Sequence, residues 1–260
     1  MKAMVFAAGY GQRLRPTTEK LPKALVPVAG RPMIEYPLLL LSHYGIREVI
    51  INLHHLGDQI ETHLKDGKEL GLEITYSKER ELLDTGGGLL QAKPFLADGT
   101  FIVINCDVII DLPLATLIDE HRKRTATGTL VLRPDPDADH YGAIEILPDS
   151  RIQRFLGYSA QEKRQEDSLT KLMFTGVQIL EPKVFEYMAP NTNQPVSKFG
   201  ITKITYPKML TRGEPLYGYR FNGYWQHLGT WKIIEETAKK LARGEVKLHF
   251  LGKNPNIING

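Results

Sequence analysis

Short apolar runs that end in polar or glycine-rich turns are the feature that most constrains the fold of this 260-residue chain. Ala3–Ala8, Glu48–Leu53 and Phe101–Asn105 are almost wholly apolar, as expected for strands buried on both faces. Helical patterns lie between or after them, for example at Pro32–Tyr44 and Leu114–Arg124. This alternation predicts an α/β fold with a mostly parallel sheet covered by helices.

The second half of the chain is less regular, but no Pro-, Gly- or Ser-rich linker divides it. We therefore predict a single domain over residues 1–250, followed by a C-terminal tail over residues 251–260. The tail is similar to the opening turns of a hexapeptide β-helix. The polar stretch Tyr158–Lys171 is predicted to be a solvated loop.

Composition excludes several classes of protein. Hydrophobic residues make up 42% and charged residues 24%, which rules out collagen-like and wholly disordered chains. The 33 Lys and Arg against 30 Asp and Glu give a net charge of +3 without a basic block, so no nucleic-acid partner is expected. Cys106 is the only cysteine, which excludes an intrachain disulfide. No apolar stretch approaches the roughly 18 residues of a membrane span, so we expect a cytoplasmic protein without membrane contact.

The segment from Ala8 to Lys23 is the most informative part of the sequence. It follows the first predicted strand, which is where open α/β sheets bind ligands. Gly9 and Gly11 allow the backbone to approach a phosphate closely and to point N–H groups at it. Arg13 and Lys23 would add positive charge, so the loop predicts a phosphate site.

Two common phosphate loops do not fit this segment. A dinucleotide-binding loop needs a third glycine where Leu14 stands, and an acidic residue after the second strand, which closes on Asn52-Leu53. A P-loop needs Gly-Lys followed by Ser or Thr, which the segment lacks. An NAD-dependent reductase is therefore disfavoured.

A longer pattern does match: the loop reads G-x-G-x-R-L-x-P-x-T over Gly9–Thr18, followed by Pro22-Lys23. It resembles the sugar-1-phosphate nucleotidyltransferase family, whose members join a nucleoside triphosphate to a sugar 1-phosphate and release pyrophosphate. Pro27–Ile34 and Asn105–Asp107 are similar to further motifs of that family. The resemblance implies a Rossmann-like three-layer sandwich with a mostly parallel mixed central sheet.

The resemblance also implies roles for particular residues. The catalytic residues would be Arg13, Lys23 and Asp107. The nucleotide would be bound by Ala8, Gly9, Gly11, Arg13, Glu81, Thr85 and Gly86. Free N–H groups at the helix start after Asp84 would face the nucleotide. Gly142, Thr175 and Gly176 would face the sugar, although a strand bulge or a packing glycine is the alternative at these positions.

The metal site departs from the family pattern. Gly223–Thr230 is similar to the motif G-Y-W-x-D-[IVL]-G-T, with His227 in place of the Asp that serves as second metal ligand beside Asp107. A neutral imidazole suits Mn²⁺, Co²⁺ or Zn²⁺ better than Mg²⁺. We expect Mg²⁺, or Mn²⁺, at Asp107 and His227. A phosphate contact by a cationic His227, or a catalytically weak site, are the alternatives.

One lysine of the family pattern is missing from this sequence, and one pair of adjacent histidines belongs to no motif. A family lysine that helps to hold the sugar phosphate is missing, and Arg154 or Lys171 are candidates to replace it. His54 and His55 follow the second predicted strand. Adjacent strand residues face opposite sides, so these two histidines are expected to begin a loop rather than to share a metal ion.

The expected partners are two small-molecule substrates, with a second copy of the chain as a further candidate. Met173–Leu180 and the ending Gly223–Thr230 resemble segments of mannose- or heptose-1-phosphate guanylyltransferases, which implies GTP with a mannose- or heptose-type 1-phosphate. The turn Thr85–Gly88 resembles that of uridylyltransferases for N-acetylmuramate 1-phosphate, which implies the alternative, a uridylyltransferase acting on N-acetylmuramate or glucose 1-phosphate. A second alternative is a non-catalytic regulatory relative that binds a nucleotide sugar.

Overall fold

The computed structural model describes residues 1–136, 138–161, 169–188 and 197–252. Its strands are β1 (Lys2–Phe6), β2 (Pro27–Val28), β3 (Arg31–Pro32), β4 (Glu48–Leu53), β5 (Glu73–Lys78), β6 (Phe101–Asn105), β7 (Val108–Ile110), β8 (Gly128–Arg133), β9 (Ile144–Ile146), β10 (Ile152–Phe155), β11 (Tyr158–Ser159), β12 (Thr170–Leu180), β13 (Leu216–Arg220) and β14 (Trp225–His227). Its helices are α1 (Glu35–His43), α2 (Gly57–Leu64), α3 (Asp84–Gln91), α4 (Lys93–Leu96), α5 (Leu114–Lys123), α6 (Ala138–Tyr141), α7 (Ile201–Thr211) and α8 (Trp231–Ala242).

The described residues form two compact units, each discontinuous in sequence. The N-terminal unit comprises Lys2–Leu82, Ile104–Leu112 and the described residues from Gly223 onward. The central unit comprises Leu83–Val103 and the described residues between Pro113 and Asn222. Both units contain strands and helices, which confirms the α/β class with a mixed central sheet. The single domain over residues 1–250 stays a prediction.

Three parallel strands form the frame of the N-terminal unit. β1 pairs with β4 and β4 pairs with β5, both in parallel, so their carboxyl ends lie at the same edge. Met4 and Ile51 in these strands have no exposed surface, as the apolar runs predicted. The glycine-rich loop leaves β1 at this edge, which is the ligand-binding edge of open α/β sheets.

A small second sheet in the N-terminal unit positions two more candidate residues. β7 pairs antiparallel with β14, and His227 lies opposite Val108. The backbone N–H of Leu228 also donates to the carbonyl of Asp107 at 2.8 Å. These contacts fix the backbones of Asp107 and His227 side by side.

In the central unit, β8 lies between antiparallel β12 and parallel β13. β12 also pairs antiparallel with β9, which pairs with β10. The β12–β8 register shifts between Phe174 and Gln178, and Gly176, within that shift, has a φ of 86°. Gly176 therefore lies in a bulge and has the left-handed conformation that glycine adopts most easily.

Several predicted boundaries differ from the structure. The helix predicted from Pro32 begins at Glu35, because Pro32 pairs with Pro27 in a short hairpin. The stretch predicted as one loop contains β11 and the start of β12, while residues 162–168 lie outside the described residues. The predicted β-helix turns cannot be compared, because residues 253–260 also lie outside them. No helix in the described ranges combines the length and apolarity that crossing a membrane requires.

His121 is a buried titratable group in the central unit, with 2% of its surface exposed. Its Nε2 lies 3.0 Å from Glu181 Oε1, a carboxylate acceptor, so we assign the ring proton to Nε2. Nδ1 then accepts from the Thr129 hydroxyl at 2.8 Å. Burial lowers the pKa of His121, and this effect exceeds the opposing effect of Glu181. The folded chain therefore favours the neutral ring.

We predict that this histidine makes the fold less stable in mild acid. The unfolded chain takes up a proton near the ordinary histidine pKa of about 6.5, and the folded chain only at lower pH. The free energy of unfolding should therefore fall as the pH drops below about 6.5. Urea midpoints at pH 7 and pH 5 should differ less for His121→Gln than for the wild type. His43→Gln, at an exposed position, is the control; equal pH dependence in all three proteins would contradict the prediction.

Candidate functional site

The glycine-rich loop after β1 is built from short 3₁₀ turns at Gln12–Leu14, Thr17–Glu19 and Lys23–Leu25. Leu14 is fully buried and anchors the first of them. These turns could not be predicted from the sequence, because three-residue elements are too short to show a hydrophobic period. The loop is thus a packed segment rather than an open strand-to-helix connection.

Gly11 is the tightest point of this loop. Its φ is 63°, and its carbonyl accepts a hydrogen bond from the Thr18 hydroxyl at 2.9 Å. A Cβ at this position would come within 2.9 Å of both Lys23 Cβ and Thr18 Cγ2. The loop therefore folds back so that Gly11 packs against Lys23, and glycine is required by both backbone and space.

Lys23, Asp107 and His227 meet at one carboxylate oxygen. Asp107 Oδ2 accepts a short hydrogen bond from Lys23 Nζ and lies 3.2 Å from His227 Nε2. The side chains of Lys23 and Asp107 are 13% and 18% exposed, so the ion pair is largely shielded from water. Sequence reasoning named all three residues, and the structure brings them together.

The electrostatics of this cluster keep Asp107 ionised. Burial alone would raise the pKa of Asp107, but the hydrogen bond from His227 and the charge of Lys23 outweigh burial and hold the pKa well below its usual range. The neighbouring Cys106 responds in the opposite way, because burial and the Asp107 charge raise the pKa of its thiol to about 12. Cys106 is thus a buried neutral thiol.

Arg13 approaches the same cluster from the glycine-rich loop. A Cβ on Gly229 would lie 3.1 Å from Arg13 Nη1 and 2.8 Å from His227 Cε1. The guanidinium and the imidazole therefore both lie against the backbone of Gly229. Lys23 and His227 thus contact the Asp107 carboxylate, and the exposed Arg13 lies against Gly229 beside His227, an arrangement suited to binding a polyanion.

The donor set limits which metal ion this cluster could hold. No cluster of three or more His, Cys, Asp or Glu ligands occurs among the described residues. Asp107 and His227 would supply one carboxylate and one imidazole, and Lys23 already occupies Asp107 Oδ2. The residues fit a divalent ion whose other ligands are water and substrate phosphates, the usual situation for Mg²⁺.

The remaining residues predicted to bind the nucleotide differ in their surroundings. Ala8 is buried, whereas Gly9 is exposed and has open space where a side chain would project. Glu81 is exposed in the bend after β5. Thr85 and Gly86 belong to the central unit, in the first turn of α3.

The expectation of free N–H groups at the start of α3 is wrong. The backbone N–H groups of Gly86 and Gly87 donate to the carbonyl of Phe199, at 2.8 Å and 3.2 Å. A Cβ on Gly86 would lie only 2.2 Å from Phe199 Cε2. The glycines at this turn thus allow the segment around Phe199 to pack on the helix start, and the N–H groups of Gly86 and Gly87 are already paired.

The residues predicted to face the sugar have structural reasons for their identity. Gly142 has a φ of 88°, and its Cβ would meet Leu156 Cδ2 at 2.2 Å. Thr175 is buried and its hydroxyl donates to the carbonyl of Val131 at 2.8 Å. Gly176 lies in the β12 bulge. Their contacts with a sugar stay a prediction.

The two candidates to replace the missing lysine are both ion-paired. Arg154 Nη1 lies 3.3 Å from Glu145 Oε2, and Lys171 Nζ lies 3.0 Å from Asp139 Oδ1. Either side chain would have to leave or share its carboxylate in order to bind a phosphate.

Comparisons with known proteins agree with the pattern of the glycine-rich loop. The family model described as nucleotidyl transferase matches residues 2–244. The UTP–glucose-1-phosphate uridylyltransferase of Synechocystis sp. is 31% identical, over 100% of this chain and 69% of that protein. The N-acetylmuramate alpha-1-phosphate uridylyltransferase of Neisseria meningitidis serogroup B is 35% identical, over 88% of this chain and 94% of that protein.

A guanylyltransferase and a solved structure are also similar. The mannose-1-phosphate guanylyltransferase catalytic subunit beta of Drosophila melanogaster is 33% identical over 88% of this chain, and the alignment spans 59% of that longer protein. A UDP-glucose pyrophosphorylase solved with UDP-glucose superposes with a TM-score of 0.74 at 22% identity, covering 94% of this chain and 99% of that one. The superposition shows a shared Rossmann-like α/β fold.

We predict that Gly11→Ala lowers the free energy of unfolding by about 1–2 kcal/mol, because alanine must adopt the left-handed conformation and press on Lys23 and Thr18. Gly9→Ala is the matched control two residues away and should change stability by less than about 0.5 kcal/mol. Urea denaturation of the two variants and the wild type measures both effects. Equal losses in the two variants would contradict the tight packing inferred at Gly11.

Proposed function

Because this chain belongs to the nucleotidyl transferase family, we propose that it joins a nucleoside triphosphate to a sugar 1-phosphate and releases pyrophosphate. The observation that carries the proposal is the cluster in which Lys23 and His227 contact the shielded carboxylate of Asp107, with the Arg13 guanidinium beside them at Gly229. A cation held in a poorly hydrated site, as Lys23 is, interacts strongly with a polyanion.

The reaction needs positioning and charge rather than a covalent intermediate. A phosphate oxygen of the sugar 1-phosphate attacks the α-phosphorus in line, and the bond to the β-phosphate breaks as pyrophosphate leaves with its electron pair. The Gly9–Gly11 backbone and Arg13 would hold the β- and γ-phosphates. Lys23 would leave Asp107 for the α-phosphate or the attacking phosphate, where its charge is stabilising as negative charge develops.

Asp107 and His227 would hold a divalent ion, Mg²⁺ or Mn²⁺. Such an ion supplies charge neutralisation at the phosphates. A carboxylate whose pKa is held low is ready to ligate without first losing a proton. The Lys23 ammonium must share or release Asp107 Oδ2 when the ion binds.

GTP with a mannose- or heptose-type 1-phosphate is the first candidate substrate pair, because the Gly223–Thr230 ending resembles that class and the Drosophila relative is a guanylyltransferase. UTP with N-acetylmuramate or glucose 1-phosphate is the second, because the Neisseria and Synechocystis relatives are uridylyltransferases. Ala8, Glu81, Thr85 and Gly86 remain proposed nucleotide contacts, and Gly142, Thr175 and Gly176 proposed sugar contacts.

A nucleotide-sugar-binding regulator without catalysis is the competing class. It draws support from His227 in the metal-ligand position and from the ion-paired Arg154 and Lys171. Such a regulator would bind nucleotide but release no pyrophosphate with any substrate pair. A cytoplasmic location, where both small substrates would be available, is part of our proposal. Assembly with a second copy stays a prediction.

We predict that Lys23→Ala and Asp107→Ala each lower the rate of pyrophosphate release on the order of 10²–10³-fold or more, because each removes a charge that acts in a shielded site. The assay pairs GTP or UTP with mannose, heptose, glucose and N-acetylmuramate 1-phosphates, in Mg²⁺ and in Mn²⁺. Lys20→Ala removes an exposed lysine of the same loop and should retain the wild-type rate. Wild-type turnover in either cluster variant, with folding verified by circular dichroism, would refute the assigned roles.

We predict that His227→Asp shifts the metal preference toward Mg²⁺, because a second carboxylate suits this hard ion better than imidazole does. The apparent Mg²⁺ affinity should rise by about tenfold and the Mn²⁺-to-Mg²⁺ activity ratio should fall. Metal titrations of activity and of calorimetric binding measure both quantities. His43→Asp, at an exposed site on α1, should leave the preference unchanged. An unaltered ratio in His227→Asp would argue that His227 is not a metal ligand.

A further inference from the structure

The residue that precedes the glycine-rich loop is tied to two neighbouring strands. The backbone N–H of Ala7 donates to Asn52 Oδ1 at 2.9 Å, and Asn52 Nδ2 donates to Glu79 Oε1 at 2.7 Å. Asn52 and Glu79 are 3% and 5% exposed, so these bonds are sheltered from water. Asn52 lies in β4 and Glu79 directly follows β5, which places both at the carboxyl edge of the parallel strands.

A second chain of hydrogen bonds returns from Glu79 to the loop through His54. His54 Nδ1 lies 3.1 Å from the backbone carbonyl of Glu79, an acceptor, so Nδ1 carries the proton. His54 Nε2 is then an acceptor, and the Tyr10 hydroxyl donates to it at 3.0 Å. Together the bonds make a circuit that begins at Ala7 and ends at Tyr10, on either side of Gly9.

His55 supports the same loop from another side. Its Nε2 donates to the carbonyl of Thr18 at 2.7 Å, and the Thr18 hydroxyl donates to the carbonyl of Gly11. The rings of His54 and His55 lie 5.4 Å and 5.3 Å from the Tyr10 ring. Both histidines begin the loop after β4, as expected, but their rings converge on one tyrosine because they lie beyond the end of the strand.

We propose that Tyr10 and His54 are positioning residues that hold the Gly9–Gly11 turn in its phosphate-binding conformation. This inference rests on the proposed function, since it names what prepares that site to receive a triphosphate. Gly9 has no side chain and open space around it, so without these bonds the turn would have to be ordered at the moment of binding. A turn that is already ordered before the nucleotide binds lowers that entropic cost and so raises the affinity for the nucleotide.

Because Tyr10 is exposed, its proposed role in positioning the Gly9–Gly11 turn can be distinguished from stabilisation of the hydrophobic core. Tyr10 is 38% exposed, and its hydroxyl bond to His54 is also exposed, so loss of the hydroxyl leaves no buried cavity. The fold should therefore tolerate Tyr10→Phe, while the nucleotide-binding turn becomes less ordered. The expected signature is weaker nucleotide binding with little change in the chemical step.

The test is a double-mutant cycle on Tyr10→Phe and His54→Leu, with Tyr158→Phe as the control at another exposed tyrosine. GTP and UTP are titrated calorimetrically in Mg²⁺, and pyrophosphate release gives kcat and the KM of each substrate. Tyr10→Phe should raise the nucleotide Kd and KM by three- to tenfold. The kcat and the KM of the sugar 1-phosphate should stay within twofold. The double variant should bind nucleotide about as weakly as His54→Leu alone, because both remove the same bond.

Unchanged nucleotide affinity in Tyr10→Phe, or fully additive losses in the double variant, would overturn the proposal. A loss of kcat at unchanged KM would also overturn it, since that pattern belongs to a residue acting in the transition state. The proposed function fails separately, if the wild type releases no pyrophosphate with any substrate pair. In that case a weaker calorimetric affinity of Tyr10→Phe would still support the positioning role.

Discussion

The ion pair between Lys23 and Asp107 is the interaction on which the candidate site depends. It joins the glycine-rich loop to the segment after β6, and its shielding from water gives each charge its effect. The pairing of β7 with β14 brings His227 to the same carboxylate, and Gly229 leaves room for the Arg13 guanidinium. Because the Lys23 ammonium and the Asp107 carboxylate are already paired before a substrate binds, both groups are in place and partly desolvated beforehand.

Much of the fold and of this cluster could be predicted from the sequence, for physical reasons that differ. Apolar runs such as Glu48–Leu53 indicate buried strands directly, and β4 has the same bounds as that run. Lys23 and Asp107 lie in recognisable motifs, and His227 could be located because the residues around it match a motif that has Asp at that position. What a motif cannot give is their mutual geometry, which depends on a strand pairing between residues far apart in the chain.

The features that escaped prediction depend on contacts that local sequence does not encode. The turn after Asp84 has glycines that look like a ligand cradle, but the same glycines also admit Phe199, more than a hundred positions later. His54 and His55 begin a loop after β4, as expected, but the convergence of their rings on Tyr10 depends on where the glycine-rich loop lies. Gly142 and Gly176 show how a residue can match a motif and still be required by backbone conformation.

The antiparallel pairing of β7 with β14 has a consequence for how the chain is made. Asp107 and His227 are 120 positions apart, so the imidazole reaches its carboxylate only after most of the polypeptide has been synthesised. Until Trp225–His227 emerge from the ribosome, the apolar Val108–Ile110 has an unpaired edge in the nascent chain. Closing so large a loop is entropically costly and comes late. The cluster of charges around Asp107 is therefore completed only when β14 pairs with β7.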